Sequence, residues 1–278
     1  MMKGFFKERN IEFYALIPLS KCKITKEYLL NRAGLSKNSN VIMMLLPYRS
    51  EKKAQNLSTY ASVKDYHAYV DILRSEAKNY IKSRHPSAIF EVFADHSPID
   101  EVHASCIAGL GFIGDNGLLI NEKYSSFVFL CEFITNLTDK ELGIEYADDV
   151  SIKRCIGCKA CMRACPSNCM DELDPRPKSE CLSAITQKKG DLSTHDIEMM
   201  LENNTIWGCD ICQNVCPYTK GASFTPIEYF KADVIENLTL ELIDNMSDDE
   251  FYSRPFSWRG REVIRRNLIK ASKSKELL

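Results

Sequence analysis

The chain has 278 residues, 45% of them apolar and 27% charged, with a formal net charge of -2. That is the profile of a soluble globular protein of one large or two modest domains, with apolar residues enough to fold without a metal. No stretch is long enough to span a membrane, and the near-neutral charge names no class of partner. The N-terminus does not read as an export signal: Lys3, Lys7 and Arg9 precede an apolar run of only residues 13–19, with Glu12 beside it. With 12 cysteines and no such signal, the expected compartment is the reducing cytoplasm.

Residues 11–17 read as a short strand, and residues 41–46 as a second whose unbroken apolar run fits burial on both faces. Residues 25–33 between them are expected to be helical. Residues 65–84 form a strong amphipathic helix, with Tyr66, Val70, Leu73, Ala77, Tyr80 and Ile81 on one face and Pro86 beyond its end. Residues 88–94 are a third strand. A helix is then expected to begin at Ser97 as N-cap, with Pro98 at its first position and Asp100 at its third.

Gly109-Leu110-Gly111-Phe112-Ile113-Gly114 matches the dinucleotide fingerprint literally, but in the wrong context. The fingerprint follows a strand and opens a helix, whereas this run follows a helix and leads into a strand. The glycines are expected to stop the helix and to allow a close backbone approach. Residues 117–121 and 127–135 read as a hairpin or two adjacent strands. Helical segments are expected at residues 238–245, 248–252 and 261–272. Seven basic residues after position 256 (Arg259, Arg261, Arg265, Arg266, Lys270, Lys273 and Lys275) face only Glu262 and Glu276, which makes either a solvated helix face or a phosphate-contacting patch.

The most specific stretch lies between these parts. Cys155-x2-Cys158-x2-Cys161-x3-Cys165-Pro166 is followed by Cys209-x2-Cys212-x3-Cys216-Pro217. The first run has the spacing and trailing proline with which bacterial ferredoxins hold [4Fe-4S] clusters. Three thiolates from one tight loop reach three irons, and the cysteine before proline ligates the other cluster. One cluster then takes Cys155, Cys158, Cys161 and Cys216. The other has Cys165, Cys209 and Cys212 and lacks a ligand, for which spacing leaves both Cys169 and Cys181 open. A zinc ribbon would not need the full run, and a disulfide framework would need an oxidising compartment.

Laid out in this order, the chain resembles the epoxyqueuosine reductase family, whose core plan is shared with reductive dehalogenases. The resemblance rests on Tyr60-Ala61 with Asp65-Tyr66-His67, on residues 95–98 and 108–114, and on the cysteine run. It continues with Cys181-Leu182-Ser183-Ala184-Ile185-Thr186, with Gly208-Cys209-Asp210-Ile211-Cys212-Gln213, and with Arg266-Asn267 in a closing helix. It implies Cys181 as the missing ligand, leaving Cys22, Cys106, Cys131 and Cys169 without an assigned role. It also implies a cobalamin held without its lower base. Tyr66, His67, Ser183, Gly208, Cys209, Asp210 and Ile211 match positions near that cofactor, and Asp95 matches the family's proton donor. A carboxyl at the end of a buried strand against an apolar macrocycle would hold a proton near neutral pH.

The expected fold is therefore α+β or α/β: a cobalamin-binding α/β domain (1–145), a ferredoxin-like two-cluster domain (146–225) and a short helical tail (226–278). The resemblance implies an oxidoreductase that reduces epoxyqueuosine to queuosine in tRNA. Its expected partners are tRNA and a low-potential donor such as ferredoxin or flavodoxin, and the chain is expected to be a monomer.

Several positions depart from the family pattern. His96-Ser97-Pro98 replaces Thr-Gly-Pro, Asp100-Glu101 replaces a glutamate-arginine pair, Asp115-Asn116 replaces Lys-Asn, and Cys131 replaces a small residue. Longer members add a helical-repeat domain that grips tRNA, and this chain is expected to be a short form without it. The alternatives are a related reductase of another small molecule, such as a halogenated compound, and a non-catalytic electron-transfer ferredoxin.

Overall fold

The structure is a computed structural model that describes residues 1–147, 154–170 and 178–275. The chain divides into two compact units, Met1–Pro47 with Tyr66–Ile156 and Tyr48–Asp65 with Gly157–Leu278.

The first unit is built on strands β1 (Tyr14–Pro18), β2 (Asn40–Pro47), β3 (Phe90–Phe93), β4 (Phe112–Ile113), β5 (Leu119–Ile120) and β6 (Val128–Thr135). Four of them form one sheet in the order β1-β2-β6-β3. Every pairing in it is antiparallel, so the architecture is α+β rather than parallel α/β. All of β2 is buried, as its apolar run requires. On β6 an acid interrupts the apolar sequence: Glu132, opposite Met43 on β2 and Phe93 on β3.

The amphipathic helix spans Tyr66–Lys82 and buries Tyr66, Val70, Leu73, Ala77 and Ile81 as expected. Tyr69 joins that face, while Tyr80 lies at its edge and donates its hydroxyl to the carbonyl of Met1 at 3.1 Å. A helix not anticipated from the sequence, Met2–Glu8, buries Met2, Phe5 and Phe6 completely. It has no side-chain cap, and packing holds it: the rings of Phe5 and Phe6 lie 6.3 and 5.9 Å from that of Phe133 on β6.

The helix expected from Ser97 begins later, at Glu101, with Asp100 as N-cap accepting from the Nα–H of His103 at 3.1 Å. Ser97 is engaged elsewhere, donating its hydroxyl to Glu132 and accepting from the Nα–H of Ile99. The expected pairing of residues 117–121 with 127–135 is also replaced. β5 pairs with β4 in a separate two-stranded sheet, and β6 enters the main one. The glycine run serves that small sheet. Gly109 leaves the helix at a φ of +73°. A Cβ on Gly111 would lie 2.5 Å from the carbonyl oxygen of Ile120, and one on Gly114 would lie 2.7 Å from that residue's Cδ1. The close approach anticipated at these glycines is therefore made to the chain's own strand.

In the second unit, residues 48–65 are stitched to sequence far downstream. The Nα–H of Ser58 donates to the carbonyl of Trp207, and that of Ile206 donates to the carbonyl of Asn56. Trp207 is fully buried in a core with Leu57, Ile243, Phe251, Phe256 and Ile264. The last helix, Arg261–Lys275, supplies Asn267, whose buried amide donates to the carbonyls of Thr186 and Ile206 at 2.8 Å each. Among the described residues no helix is long and apolar enough to cross a membrane.

Candidate functional site

Chemistry-bearing residues gather in two places, one in each unit. In the first, β3 ends at Phe93 and the chain turns at once. The Nα–H of His96 donates to the carbonyl of Ala94 at 2.6 Å, and the residue at the apex, Asp95, has a φ of +58°. A three-residue turn around a left-handed residue is strained, and such a turn persists only where its surroundings hold it. The Nα–H of Asp95 is held by the carboxyl of Glu101 at 3.1 Å. The carboxyl of Asp95 is 72% exposed, in contrast to the apolar setting expected of it, and lies 3.7 Å from His67 Nε2. Tyr66 stacks on Phe129 with ring centroids 4.1 Å apart. Tyr66, Asp95 and Phe129 border a cavity of about 380 Å³ whose wall also includes Lys26, Ser97 and Glu101.

Two further acids stand near Asp95 that sequence reasoning left without a role, Glu101 in the cavity wall and Glu132 fully buried. Burial, and then the nearby charge of Asp95, push the carboxyl of Glu101 up to about 7. Burial, and then Glu101, push that of Glu132 well above the carboxylate range. The sequence did hold a signal for Glu132: it is the lone acid inside the apolar run 128–135.

In the second unit the cysteine runs from Cys158 onward fold onto short helices, Ala160–Ala164 and Ile211–Asn214, which pack together. Gly157 and Lys159 have φ values of +64° and +55°, so the first loop turns sharply between its cysteines. None of the 12 cysteines forms a disulfide. Burial pushes the thiol of Cys209 up to about 11, and the charges of Cys181, Asp210 and Cys165 add to the rise. Burial takes Cys212 to about 12, with Cys209, Cys181, Asp210 and Cys165 adding. Cys169 also senses Cys181 and Cys165, while its thiol lies 3.2 Å from the Ser167 hydroxyl. Among the described residues no three of His, Cys, Asp and Glu meet closely enough to hold a single metal ion. Cys155 falls in the first unit, and Cys158, Cys161 and Cys216 in the second.

The other residues anticipated near a cofactor are tied into the second unit. Asp210 accepts from both the Nα–H and the hydroxyl of Thr59 at 2.6 Å, and from Gln213 at 3.1 Å. Burial raises its pKa and the Thr59 hydrogen bonds act against the rise. Gly208 has a φ of +73°, and a Cβ there would lie 2.0 Å from the Ser58 hydroxyl. Its Nα–H donates to Thr186 Oγ1 at 3.0 Å. Ser183 accepts at its carbonyl from Thr186 and Gln187, and Ile211 opens the helix that follows Asp210.

The basic tail is likewise engaged. Arg261 donates to the carbonyl of Ile243 and to Asp248, Arg265 pairs with Asp244 at 3.0 Å, and Arg266 donates to the carbonyls of Lys188 and Gly190. Three cations of the sequence's phosphate-contacting patch thus have internal partners.

Residues 154–219 match the family described as the 4Fe-4S double cluster binding domain. The epoxyqueuosine reductase of Lactococcus garvieae is 31% identical over 232 residues, which are 81% of this chain and 63% of that protein. That of Listeria monocytogenes is 29% identical over 283 residues, 95% of this chain and 72% of that protein. The chain belongs to the epoxyqueuosine reductase family. It spans less than two thirds of the Lactococcus relative, whose aligned share is 63%. The fold is the family's as well. A solved epoxyqueuosine reductase with an epoxyqueuosine-modified tRNA-Tyr stem loop matches with a TM-score of 0.75 at 23% identity, over 97% of this chain and 79% of that one. The Streptococcus thermophilus epoxyqueuosine reductase matches equally, at 0.75 and 22% identity.

Proposed function

We propose that the protein is an iron–sulfur and cobalamin-dependent reductase that converts epoxyqueuosine to queuosine in tRNA, with Asp95 as proton donor. The observation that carries the reading is the presence in one chain of a double-cluster cysteine region and of an accessible carboxyl, held in a strained turn, at the wall of a cavity. A solved relative was crystallised with an epoxyqueuosine-modified stem loop, which favours the same substrate class here.

In this reading Cys155, Cys158, Cys161 and Cys216 hold one [4Fe-4S] cluster, and Cys165, Cys181, Cys209 and Cys212 the other. The shared electrostatics of the last four favour that set over one containing Cys169. Cys165 and Cys181 lie close enough to Cys209 and Cys212 for their charge to be felt there, as ligands of one cluster would. The cobalamin, when bound, supplies low-valent cobalt for the two-electron reduction, and the clusters supply single electrons from an outside donor. Tyr66, His67, Ser183, Gly208, Cys209, Asp210 and Ile211 are the residues this reading assigns to the cobalamin, and the carboxylate of Asp210 among them is already engaged by Thr59 and Gln213.

Reducing the epoxide to an alkene takes two electrons and two protons, with the oxygen leaving as water. The part assigned to this chain is to deliver a proton from Asp95 to that oxygen, with His67 beside the carboxyl to bias its orientation. A low-potential ferredoxin or flavodoxin as donor, a cytoplasmic location and a monomeric state complete the proposal.

The engaged arginines of the tail favour a second reading, reduction of a smaller substrate without a tRNA grip from this helix. One experiment separates the two. Cluster-reconstituted protein with cobalamin and a strong reductant is given tRNA from a reductase-deficient strain, and queuosine is measured in the digest. Conversion that is lost in Asp95→Asn supports the tRNA reading. No conversion with both clusters intact and cobalamin bound overturns it.

A further inference from the structure

We infer that the surface around Cys158, Cys161 and Cys216 is the docking face for the electron donor, and that it fits an acidic flavodoxin. The inference deepens the proposed function and rests on its assignment of these three cysteines to one cluster.

The two sets of ligands have different surroundings. Cys216 stands between Val215, which is 40% exposed, and Pro217, which is exposed as well, and Cys158 follows exposed Gly157. Cys209, by contrast, stands between buried Gly208 and buried Asp210, and buried Gln213 follows Cys212. A cluster on the first set is therefore the one that a carrier can approach from solvent.

The charge beside that set has one sign. Residues 157–170 and 211–225, which carry these cysteines, hold Lys159, Arg163 and Lys220 and no acid, in a chain whose net charge is -2. Connectivity keeps these cations close to the ligands: Lys159 follows Cys158, Arg163 lies between Cys161 and Cys165, and Lys220 ends the turn that Cys216 opens. The helices Ala160–Ala164 and Ile211–Asn214 pack together, so the two runs lie side by side. Arg163 is exposed, and its guanidinium donates to the carbonyl of Cys158 at 3.0 Å, which holds the charge at the ligand loop. Lys220 is exposed too. Arg49 adds a cation beyond it: its guanidinium donates to the carbonyl of Ala222 at 3.0 Å and stands 5.3 Å from the ring of Phe224, which is 46% exposed.

Exposed apolar side chains among cations suit a transient redox encounter. The charges steer an acidic partner in, and a small apolar contact lets it leave once its electron has passed. A flavodoxin meets both requirements, with carboxylates for the cations and the dimethylbenzene edge of its flavin for Val215 and Phe224. In the step itself the anionic flavin hydroquinone gives up one electron and becomes the neutral semiquinone. The oxidised cluster takes that electron and passes from the 2+ to the 1+ state, and no proton moves.

The test needs neither cobalamin nor tRNA. The cluster-reconstituted full chain is mixed anaerobically with flavodoxin hydroquinone, and bleaching of the cluster absorbance is followed at rising salt. The second-order rate is expected to fall about tenfold between low and high ionic strength. Lys220→Glu should lower the low-salt rate by about tenfold and flatten the salt dependence, and Lys220→Gln should do the same by about threefold. Val215→Ser should slow the reaction and leave the salt dependence as it is. Excess dithionite should reduce every variant to the wild-type extent, which shows that the clusters are in place. Rates indifferent to salt and to both Lys220 variants overturn the inference. A ferredoxin whose rate responds to these changes while the flavodoxin's does not overturns it too, as does an equal loss in Lys82→Glu, the same charge change in the first unit. Failure to convert tRNA, with the flavodoxin rates responding as expected, would instead overturn the substrate and leave the docking face standing.

Discussion

Two aspartates from the two units make an instructive pair. Asp210 is buried and its oxygens meet three donors, the Nα–H and hydroxyl of Thr59 and the amide of Gln213. Asp95 is 72% exposed, and its carboxyl has His67 at 3.7 Å. The first ties residues 48–65 to the cysteine region, so its charge is consumed by structure. The second keeps its carboxyl available while its backbone bears the restraint. Both are the same residue type, and both stand at motif positions expected near a cofactor. What separates reagent from joint is whether the donors within reach already match the acceptors.

The sharpest way to break this comparison is to neutralise each acid in turn. Asp95→Asn is expected to lower turnover by about 10²–10⁴-fold while the melting temperature stays put, since the carboxyl is exposed. Activity that survives this change would end the contrast. In the second unit the losses should fall on stability. Asn267→Ala leaves the buried carbonyls of Thr186 and Ile206 without donors and should cost about 2–4 kcal/mol in denaturant titration. Gly208→Ala drives a Cβ to 2.0 Å from the Ser58 hydroxyl at a φ of +73°, and should cost about 2 kcal/mol or more in the same assay.

The acids behind Asp95 give the pH dependence. Both have folded pKa values above the ordinary 4.5, so the folded state binds more protons than the unfolded chain. Their contribution is therefore full at low pH; that of Glu101 is lost as pH rises from about 4.5 through about 7, and that of Glu132 as pH rises through its own raised value. Melting curves across that range should show the decline, and Glu132→Gln should flatten it. The smallest effect is expected at the tail, where Arg265→Glu breaks a half-exposed pair with Asp244 and should cost about 0.5–1 kcal/mol.

Features set by local pattern are legible in the amino-acid sequence itself. The unbroken apolar run of β2 announces a fully buried strand, the helix Tyr66–Lys82 announces its face, and the cysteine spacing announces a double-cluster domain. What escapes a linear reading is set by partners distant in the chain. Ser97 looks like a helix cap until Glu132, 35 residues away, claims its hydroxyl. Gly111 and Gly114 announce a close backbone approach without saying to what, and the partner proves to be Ile120. The Met2–Glu8 helix has no capping signal and exists because Phe133 lies under it. Glu101 is an ordinary acid in a helix's first turn until the backbone of Asp95 is found on its carboxyl.

The placement of residues 48–65 with the second unit bears on how the protein is made. Thr59 and its acceptor Asp210 are separated by 151 residues, and Asn56 and Leu238 by 182. On the ribosome, this early segment emerges long before the partners that will hold it, and closing so long a loop is slow. Leu57 and Ala61, both destined for the core, stay uncovered through most of synthesis. A gene fragment beginning at Gly157 would lack them altogether, so the iron–sulfur half is not a separable module, and chaperone demand should peak while that segment waits.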